Sequence, residues 1–428
     1  GAPGPAAPGG DVDGAALHRT VEAVFRIESP RIIAAVTRVV RDVGIAEELA
    51  QDALVAALEQ WPERGVPDNP GAWLMTAARR RAIDLVRRKE RYAQKLAEMG
   101  RDLETAAPPV DEPADPEDID DDLLRLVFIS CHPVLSAEAR IALTLKLLGG
   151  LSTPEIARAF LAPEGTLAQR IVRAKRTLAK KGVAFEVPYG PDREARLGSV
   201  LEVIYLIFNE GYVATAGDDW LRPALCEDAL RLARVLQGLM PKEAEVHGLA
   251  ALLEFQQSRT AARTGADGEP VLLAEQNRTR WNRLLIRRGM AALARAHACG
   301  GAPGPYTLQA AVAGCHAEAH TYEDTDWAQI VALYDLLVAR TGSPVVELNR
   351  AVAVSMAHGP EPALGLVDAL AEAAGLREYH LLPSVRGDLL ARLGRGAEAR
   401  AEFERAAALA QNARERELLL KRAAEQGS

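Results

Sequence analysis

Residues Leu151 to Leu178 read Leu-Ser-Thr-Pro-Glu-Ile-Ala-Arg-Ala-Phe-Leu-Ala-Pro-Glu-Gly-Thr-Leu-Ala-Gln-Arg-Ile-Val-Arg-Ala-Lys-Arg-Thr-Leu. Ser152 or Thr153 suits the N-cap of a short helix, Pro154 its first turn, and Glu155 the acidic position that the helix dipole prefers. Ile156, Ala157 and Phe160 face inward. After a tight connection comes a second helix, whose apolar residues Leu167, Ile171, Ala174 and Leu178 recur at helical spacing. That spacing turns Thr166, Gln169, Arg170, Arg173, Lys175 and Arg176 outward. A capped helix, a turn and a basic amphipathic helix make a helix-turn-helix, whose second helix enters the DNA major groove. Gln169 and Arg170, near its N-terminal end, suit base edges, while Arg173, Lys175 and Arg176 suit phosphates.

Working outward, a second cationic helix stands upstream. Between Ala72 and Arg91, the residues Arg79, Arg80, Arg81, Arg87, Arg88, Lys89 and Arg91 place roughly seven cations within about four turns. Asp84 precedes Arg87 and Arg88 on the same helical face and is expected to orient them. Trp73 enters this helix from the loop Glu63 to Gly71. Its indole serves either as a core anchor or as a stacking platform for an unpaired base. Residues 96–122 then turn acidic and proline-rich, which predicts an extended, self-repelling linker. Two nucleic-acid contacts on one tether fit a split DNA site.

Composition bounds the rest. The chain has 428 residues, 48% apolar but only 5% aromatic, and Ala, Leu, Arg and Glu dominate, which favours an all-α fold of several domains. A net charge of −8 excludes a generally basic nucleic-acid coat, so any DNA contact must come from local clusters. Cys131, Cys226, Cys299 and Cys315 lack Cys-x-x-Cys spacing, so neither a metal site nor a disulfide framework is expected. Cys131-His132 and Cys315-His316 are adjacent pairs whose side chains diverge on a helix, which disfavours nucleophile-base pairing. No phosphate-binding Gly loop is present, and we expect no cofactor and no catalysis. With no apolar run of bilayer-spanning length and no signal-peptide pattern, the expected location is the cytoplasm, away from membranes.

The domain boundaries follow the composition. Residues 1–13 read as a disordered tail and residues 14–95 as a helical domain with breaks at Gly44 and over Pro62 to Pro70. After the linker, residues 123–183 hold the helix-turn-helix domain, residues 184–192 a short Pro/Gly connection, and residues 193–428 a helical domain. In that last part Glu347 to Leu370 aligns with Val385 to Ala406. Gly387, Leu390, Ala399, Phe403 and Ala406 occupy the small and large positions of a tetratricopeptide repeat, with Gly394-Arg395 as the inter-helix turn. Tyr306 to Arg340 forms a divergent third unit. Stacked helix pairs of this kind make a solenoid with a binding surface. Asn209-Glu210-Gly211-Tyr212, near Asp218, Asp219 and Trp220, reads as a polar inter-helix turn rather than a ligand pocket.

The motifs together resemble the extracytoplasmic-function sigma factors of bacterial RNA polymerase. Ala15 to Tyr92 resembles their region 2, and Leu123 to Gly182 their region 4. The resemblance implies that Glu48, Gln51, Asp52 and Leu54 dock on the polymerase β′ clamp helices and that region 4 meets the β flap. It implies that Trp73 and the cations of Arg79 to Arg91 melt and read the minus-ten element. Thr166 to Ala174 would read the minus-thirty-five element. Leu54 stands where the family usually has Phe, and Arg80 where it usually has Asn. The extension from Arg193 is similar to a subgroup with a tetratricopeptide-like C-terminal domain, which implies control of activity and a small regulatory protein as partner. The competing reading is a stand-alone helix-turn-helix regulator with a tetratricopeptide-like sensor, which would bind duplex DNA tightly without polymerase.

Overall fold

Alanine spacing governs how the first helices meet. α1 (Gly10–Val40), α2 (Val43–Arg64) and α3 (Pro70–Glu98) pack together, and α2 buries Ala46, Ala50, Ala53 and Ala57 along one stripe. Small residues let the helix axes approach closely. Val21, Phe25, Ile32, Ile33 and Val36 of α1 and Leu74, Ala78 and Ala82 of α3 are buried as these helices pack. The computed structural model describes residues 10–98, 116–213, 222–373 and 375–426. Among these the regular structure is helical, apart from one isolated bridge between Thr264 and Pro270. The all-α expectation is borne out.

Several boundaries differ from the sequence reading. Residues 10–13 of the expected tail belong to α1, while residues 1–9 lie outside the described residues. The break after α1 falls at Arg41, with φ of 58°, and at Asp42, whose carboxylate accepts from Ile45 N at 3.0 Å. Gly44 sits inside the first turn of α2, because the Asp42 cap starts the helix before it. α2 also runs through Pro62 to Arg64, which shortens the following loop. Asn69 Oδ1 then accepts from Ala72 N at 3.0 Å and opens α3.

The linker is corrected most. Its last seven residues, 116–122, form the start of α4 (Pro116–Ser130), while residues 99–115 lie outside the described residues. Proline suits the first helical position and acidic residues suit the positive end of the helix dipole. Asp122, counted in the sequence as a source of self-repulsion, is 1% exposed and lies 2.7 Å from Arg125 and 3.3 Å from Arg38 of α1. α4 lies along α1 and buries Leu123, Leu124, Leu126, Val127 and Phe128.

The helix-turn-helix region comprises α5 (Ala137–Leu147), α6 (Thr153–Ala159) and α7 (Glu164–Lys180). Ser152 is the cap of α6, and with Glu155 it forms a reciprocal capping box: Ser152 N donates to Glu155 at 2.7 Å and Glu155 N to the Ser152 hydroxyl at 3.3 Å. Leu167, Ile171, Ala174 and Leu178 are buried along α7, as their spacing required. α8 (Asp192–Tyr212) follows. Its first half is fastened to this region: Arg196 donates to Phe128 O at 3.0 Å, Ser199 to Cys131 O at 2.6 Å, and Arg140 to Ser199 Oγ at 2.6 Å.

The chain divides into two compact units, 1–203 and 204–428, and the division falls within α8. In the second unit α9 (Pro223–Leu239) packs on α10 (Ala244–Ser258), which is buried on nearly every side and also meets α11 (Arg283–Ala298) and α12 (Pro305–Glu318). Phe255 of α10 lies over Gly289 of α11, where a Cβ would stand 2.7 Å from the ring. Asn209 to Tyr212 is the last turn of α8 rather than an inter-helix turn; Glu210 pairs with Arg222 at 2.8 Å, and Asp218, Asp219 and Trp220 lie outside the described residues.

The repeats then appear as helix pairs. After α13 (Trp327–Thr341) come α14 (Pro344–His358) with α15 (Pro360–Leu370), and α16 (Leu381–Arg392) with α17 (Gly396–Leu409), before α18 (Ala413–Glu425). Ala351, Val354, Ala363, Val367, Leu390, Ala399, Phe403 and Ala406 share one core. Gly387 sits where a Cβ would meet the Phe403 ring at 3.0 Å, and Gly394 turns the chain with φ of 76°.

Candidate nucleic-acid interface

Helix α3 is apolar on one face only, which leaves its cations in solvent. Arg80, Arg87, Arg88, Lys89 and Arg91 are exposed, and Arg79 and Arg81 half-buried. Arg81 donates to Ala77 O at 3.1 Å and Arg91 to Arg87 O at 3.2 Å, bonds that align these side chains along the helix. None of the seven pairs with a carboxylate among the described residues. The expected role of Asp84 is corrected: it is exposed and pairs with neither Arg87 nor Arg88, since both extend into water where an ion pair contributes little. Trp73 stands edge-on to the buried Trp61, with ring centroids 5.4 Å apart. It is half-buried, so both readings of its indole have a physical basis.

On α7, Thr166, Gln169, Arg170 and Arg173 line one groove of about 330 Å³ together with Leu135, Ser136 and Ala139 at the start of α5. Thr166, Gln169, Arg173 and Arg176 are exposed; Arg170 and Lys175 are half-buried. Glu138 lies in the first turn of α5, between the groove residues Ser136 and Ala139. Hydrogen bonds at the α5 N-terminus and from Ser136 hold its carboxyl below the ordinary range, and Arg170 adds to the effect. Arg170 therefore has a fixed negative neighbour, whereas Arg173 and Arg176 have none among the described residues.

Lys175 differs from its sequence reading as a free phosphate contact. Its ammonium donates to Glu47 of α2, and Lys146 of α5 approaches the same carboxylate at 3.6 Å. Glu47 is 6% exposed. Beside this pair, Arg26 of α1 meets Glu155 at 3.1 Å. Gly150 turns with φ of 68°, and a Cβ there would lie 2.8 Å from Arg26 O. A cavity of about 610 Å³ separates the two surfaces, lined by Gln51 and Leu54 on one side and Lys146, Ser152 and Glu155 on the other. Of the expected polymerase-docking residues, Glu48, Gln51 and Asp52 are exposed and Leu54 is half-buried.

Sequence reasoning overlooked Glu47, Lys146 and Arg26, and counted Asp122 only as a linker charge. One signal was available: Glu47 occupies the buried stripe of α2 beside Ala46 and Ala50, where a charge requires a partner.

Outside this region the chemistry is quiet. Burial, the largest cause in each case, pushes the thiols of Cys131 and Cys315 up to about 11 and the imidazoles of His132 and His316 down to about 4. Both pairs are thus neutral near pH 7. No group of His, Cys, Asp or Glu among the described residues gathers to hold a metal, and no helix among them is long and apolar enough to cross a membrane.

Comparison with known proteins gives this geometry a context. Residues 24–92 match the family described as sigma-70 region 2, residues 125–178 that described as sigma-70 region 4, and residues 196–297 a family of unknown function, DUF6596. An uncharacterized protein of Rhizobium meliloti is 45% identical over 90% of this chain and 91% of its own length. The ECF RNA polymerase sigma factor SigK of Mycobacterium sp. (strain KMS) is 35% identical over 33% of this chain and 72% of its own. SigK of Mycobacterium tuberculosis is 32% identical over 35% and 78%. Sigma-70 regions 2 and 4 in one chain, with an ECF sigma factor relative 35% identical over 72% of its own length, lead to one conclusion: the chain belongs to the ECF sigma factors of the sigma-70 family, proteins that serve core RNA polymerase and promoter DNA.

Proposed function

We propose that this chain directs core polymerase to specific promoters by reading two DNA elements with two helices. The observation that supports this most is the pairing, in one unit, of α3 and α7, each carrying exposed cations free of carboxylate partners among the described residues. The α3 cations lie along the upstream edge of the minus-ten element, and the exposed part of Trp73 receives an unpaired base. Unstacking costs a few kcal/mol per base, and aromatic stacking returns about 1–3 kcal/mol. On α7, Gln169 and Arg170 read base edges of the minus-thirty-five element with Thr166 beside them, while Arg173, Lys175 and Arg176 hold phosphates. Glu48, Gln51, Asp52 and Leu54 dock on the β′ clamp helices, and region 4 meets the β flap. The C-terminal helical unit regulates activity through a small protein partner. The protein acts in the cytoplasm, and it makes and breaks no bond itself.

Run-off transcription with core polymerase, with and without the chain, tests the reading; it fails if no promoter gains a transcript. A finer check concerns the base pocket. Trp73→Ala is expected to lower transcription from duplex promoters roughly tenfold. A pre-melted template is expected to restore most of it. Equal loss on both templates would assign Trp73 to the core alone.

Glu47 adds a condition. While it holds Lys175, that lysine cannot reach a phosphate, and Gln51 and Leu54 face the region 4 surface across the shared cavity. Polymerase binding is the event that parts them. Glu47→Gln is expected to strengthen polymerase-independent binding to promoter DNA by at least a few fold, since both partners are largely buried and removing one charge of a buried pair releases the other more strongly than at an exposed site. A gel shift unchanged by the substitution would show that the two surfaces separate freely.

A further inference from the structure

The second unit contains a cavity of about 290 Å³ lined by α10, α12, α13, α14, the end of α8 and the irregular segment that follows α10. Its volume stands at the lower end of the ~300–1,000 Å³ range of small-molecule sites. Phe255, 1% exposed, and Trp281, 3% exposed, bring aromatic rings to the lining, and the guanidinium of Arg278 lies over the Trp281 ring at 4.5 Å.

Arg259 is the one charged side chain among the lining residues, none of which is acidic. Its Nη2 donates to two neutral acceptors, Tyr212 Oη at 2.6 Å and Gln256 Oε1 at 2.8 Å. Its guanidinium carbon lies 5.7 Å from the Trp281 ring centre. No carboxylate pairs with it among the described residues. A cation in a half-buried cavity without a counter-charge favours an anion that supplies one.

The remaining polar atoms agree. Trp281 Nε1 and His316 Nδ1 are buried without a hydrogen-bond partner among the described residues. Indole N–H can only donate. His316 is neutral near pH 7, its pKa depressed first by burial and then by Arg259 and Arg278. Gln309 and Asn349 bring amide groups to the same space. Buried polar groups left unpaired are costly, and a ligand with acceptor oxygens relieves them.

We infer that this cavity binds a small aromatic carboxylate, with its carboxylate on Arg259 and its ring between Phe255 and Trp281. A cationic amine is excluded by the guanidinium, and a purely apolar ligand leaves the indole N–H and imidazole unpaired. The inference rests on the second unit alone and does not depend on how the chain reads DNA.

The test uses the full chain and a matched set of probes: benzoate, indole-3-carboxylate, benzamide and benzylamine, followed by titration calorimetry and thermal denaturation. Both carboxylates are expected to bind and to raise the melting temperature. Benzamide should bind about tenfold or more weakly, because it lacks the charge-assisted bond, and benzylamine should not bind. Arg259→Gln should weaken benzoate by at least about tenfold, and Arg259→Lys should recover part of the loss. Gln309→Leu should weaken it less, and the exposed Arg287→Gln should leave it unchanged. Melting of the unliganded variants establishes that each is folded. The inference is overturned if neither carboxylate binds at millimolar concentration, if benzamide binds as well as benzoate, or if a folded Arg259→Gln binds benzoate as the parent does.

Discussion

Replacing Arg87, Arg88, Arg170 and Arg173 together by glutamate is expected to lower promoter-directed transcription at least about a hundredfold, since each good base or phosphate contact is worth roughly 1–3 kcal/mol. The loss should come from DNA and not from folding. Arg87, Arg88 and Arg173 are exposed, and surface substitutions of this kind change stability by about 0.5 kcal/mol or less. Each pairwise half of the set should leave residual activity, because on the proposed reading α3 and α7 touch separate elements and their contributions combine. Binding to core polymerase, followed by pull-down, should persist. Transcript levels unchanged by all four reversals would remove the basis for reading α3 and α7 as DNA contacts.

Asp122→Ala is expected to cost toward the lower end of the ~3–5 kcal/mol range for breaking a buried ion pair. Asp122 is 1% exposed, whereas the side chains of Arg38 and Arg125 retain 33% and 31% exposure, so water recovers part of the loss. What remains is the cost of two guanidiniums at the α1–α4 seam without their carboxylate. Asp122→Asn, which keeps the shape and one acceptor, should cost clearly less. Urea denaturation of both variants measures the difference. An alanine variant within about 1 kcal/mol of the parent would mean that α4 is held by its leucines alone.

These two cases also mark what was legible in the sequence. The helix-turn-helix could be read because its signals are local: the Ser152 cap, Glu155 three residues on, and an apolar repeat from Leu167 to Leu178. The repeat pair α14–α15 and α16–α17 could be read for the same reason, since Gly387 and Phe403 fit one another at a fixed offset. Asp122 and Glu47 could not. Whether a carboxylate is solvated or buried depends on Arg38 in the first case and on Lys175, 128 residues away, in the second. Composition counted Asp122 as repulsive, and only tertiary pairing reverses that sign. The cavity around Arg259 was illegible too, because its lining comes from helices far apart in the chain that carry no shared motif.

Glu155 serves two masters, the first turn of α6 and the guanidinium of Arg26. Partial burial raises its pKa, but the backbone and hydroxyl of Ser152 and then Arg26 and Arg158 pull harder, and the carboxyl ends below its ordinary value of 4.5. A depressed carboxylate contributes its full stabilisation above that value and loses it as pH falls through the folded one. Acid therefore weakens the capping box and the Arg26 tether with the same proton, so α6 loosens at its first turn and from α1 together.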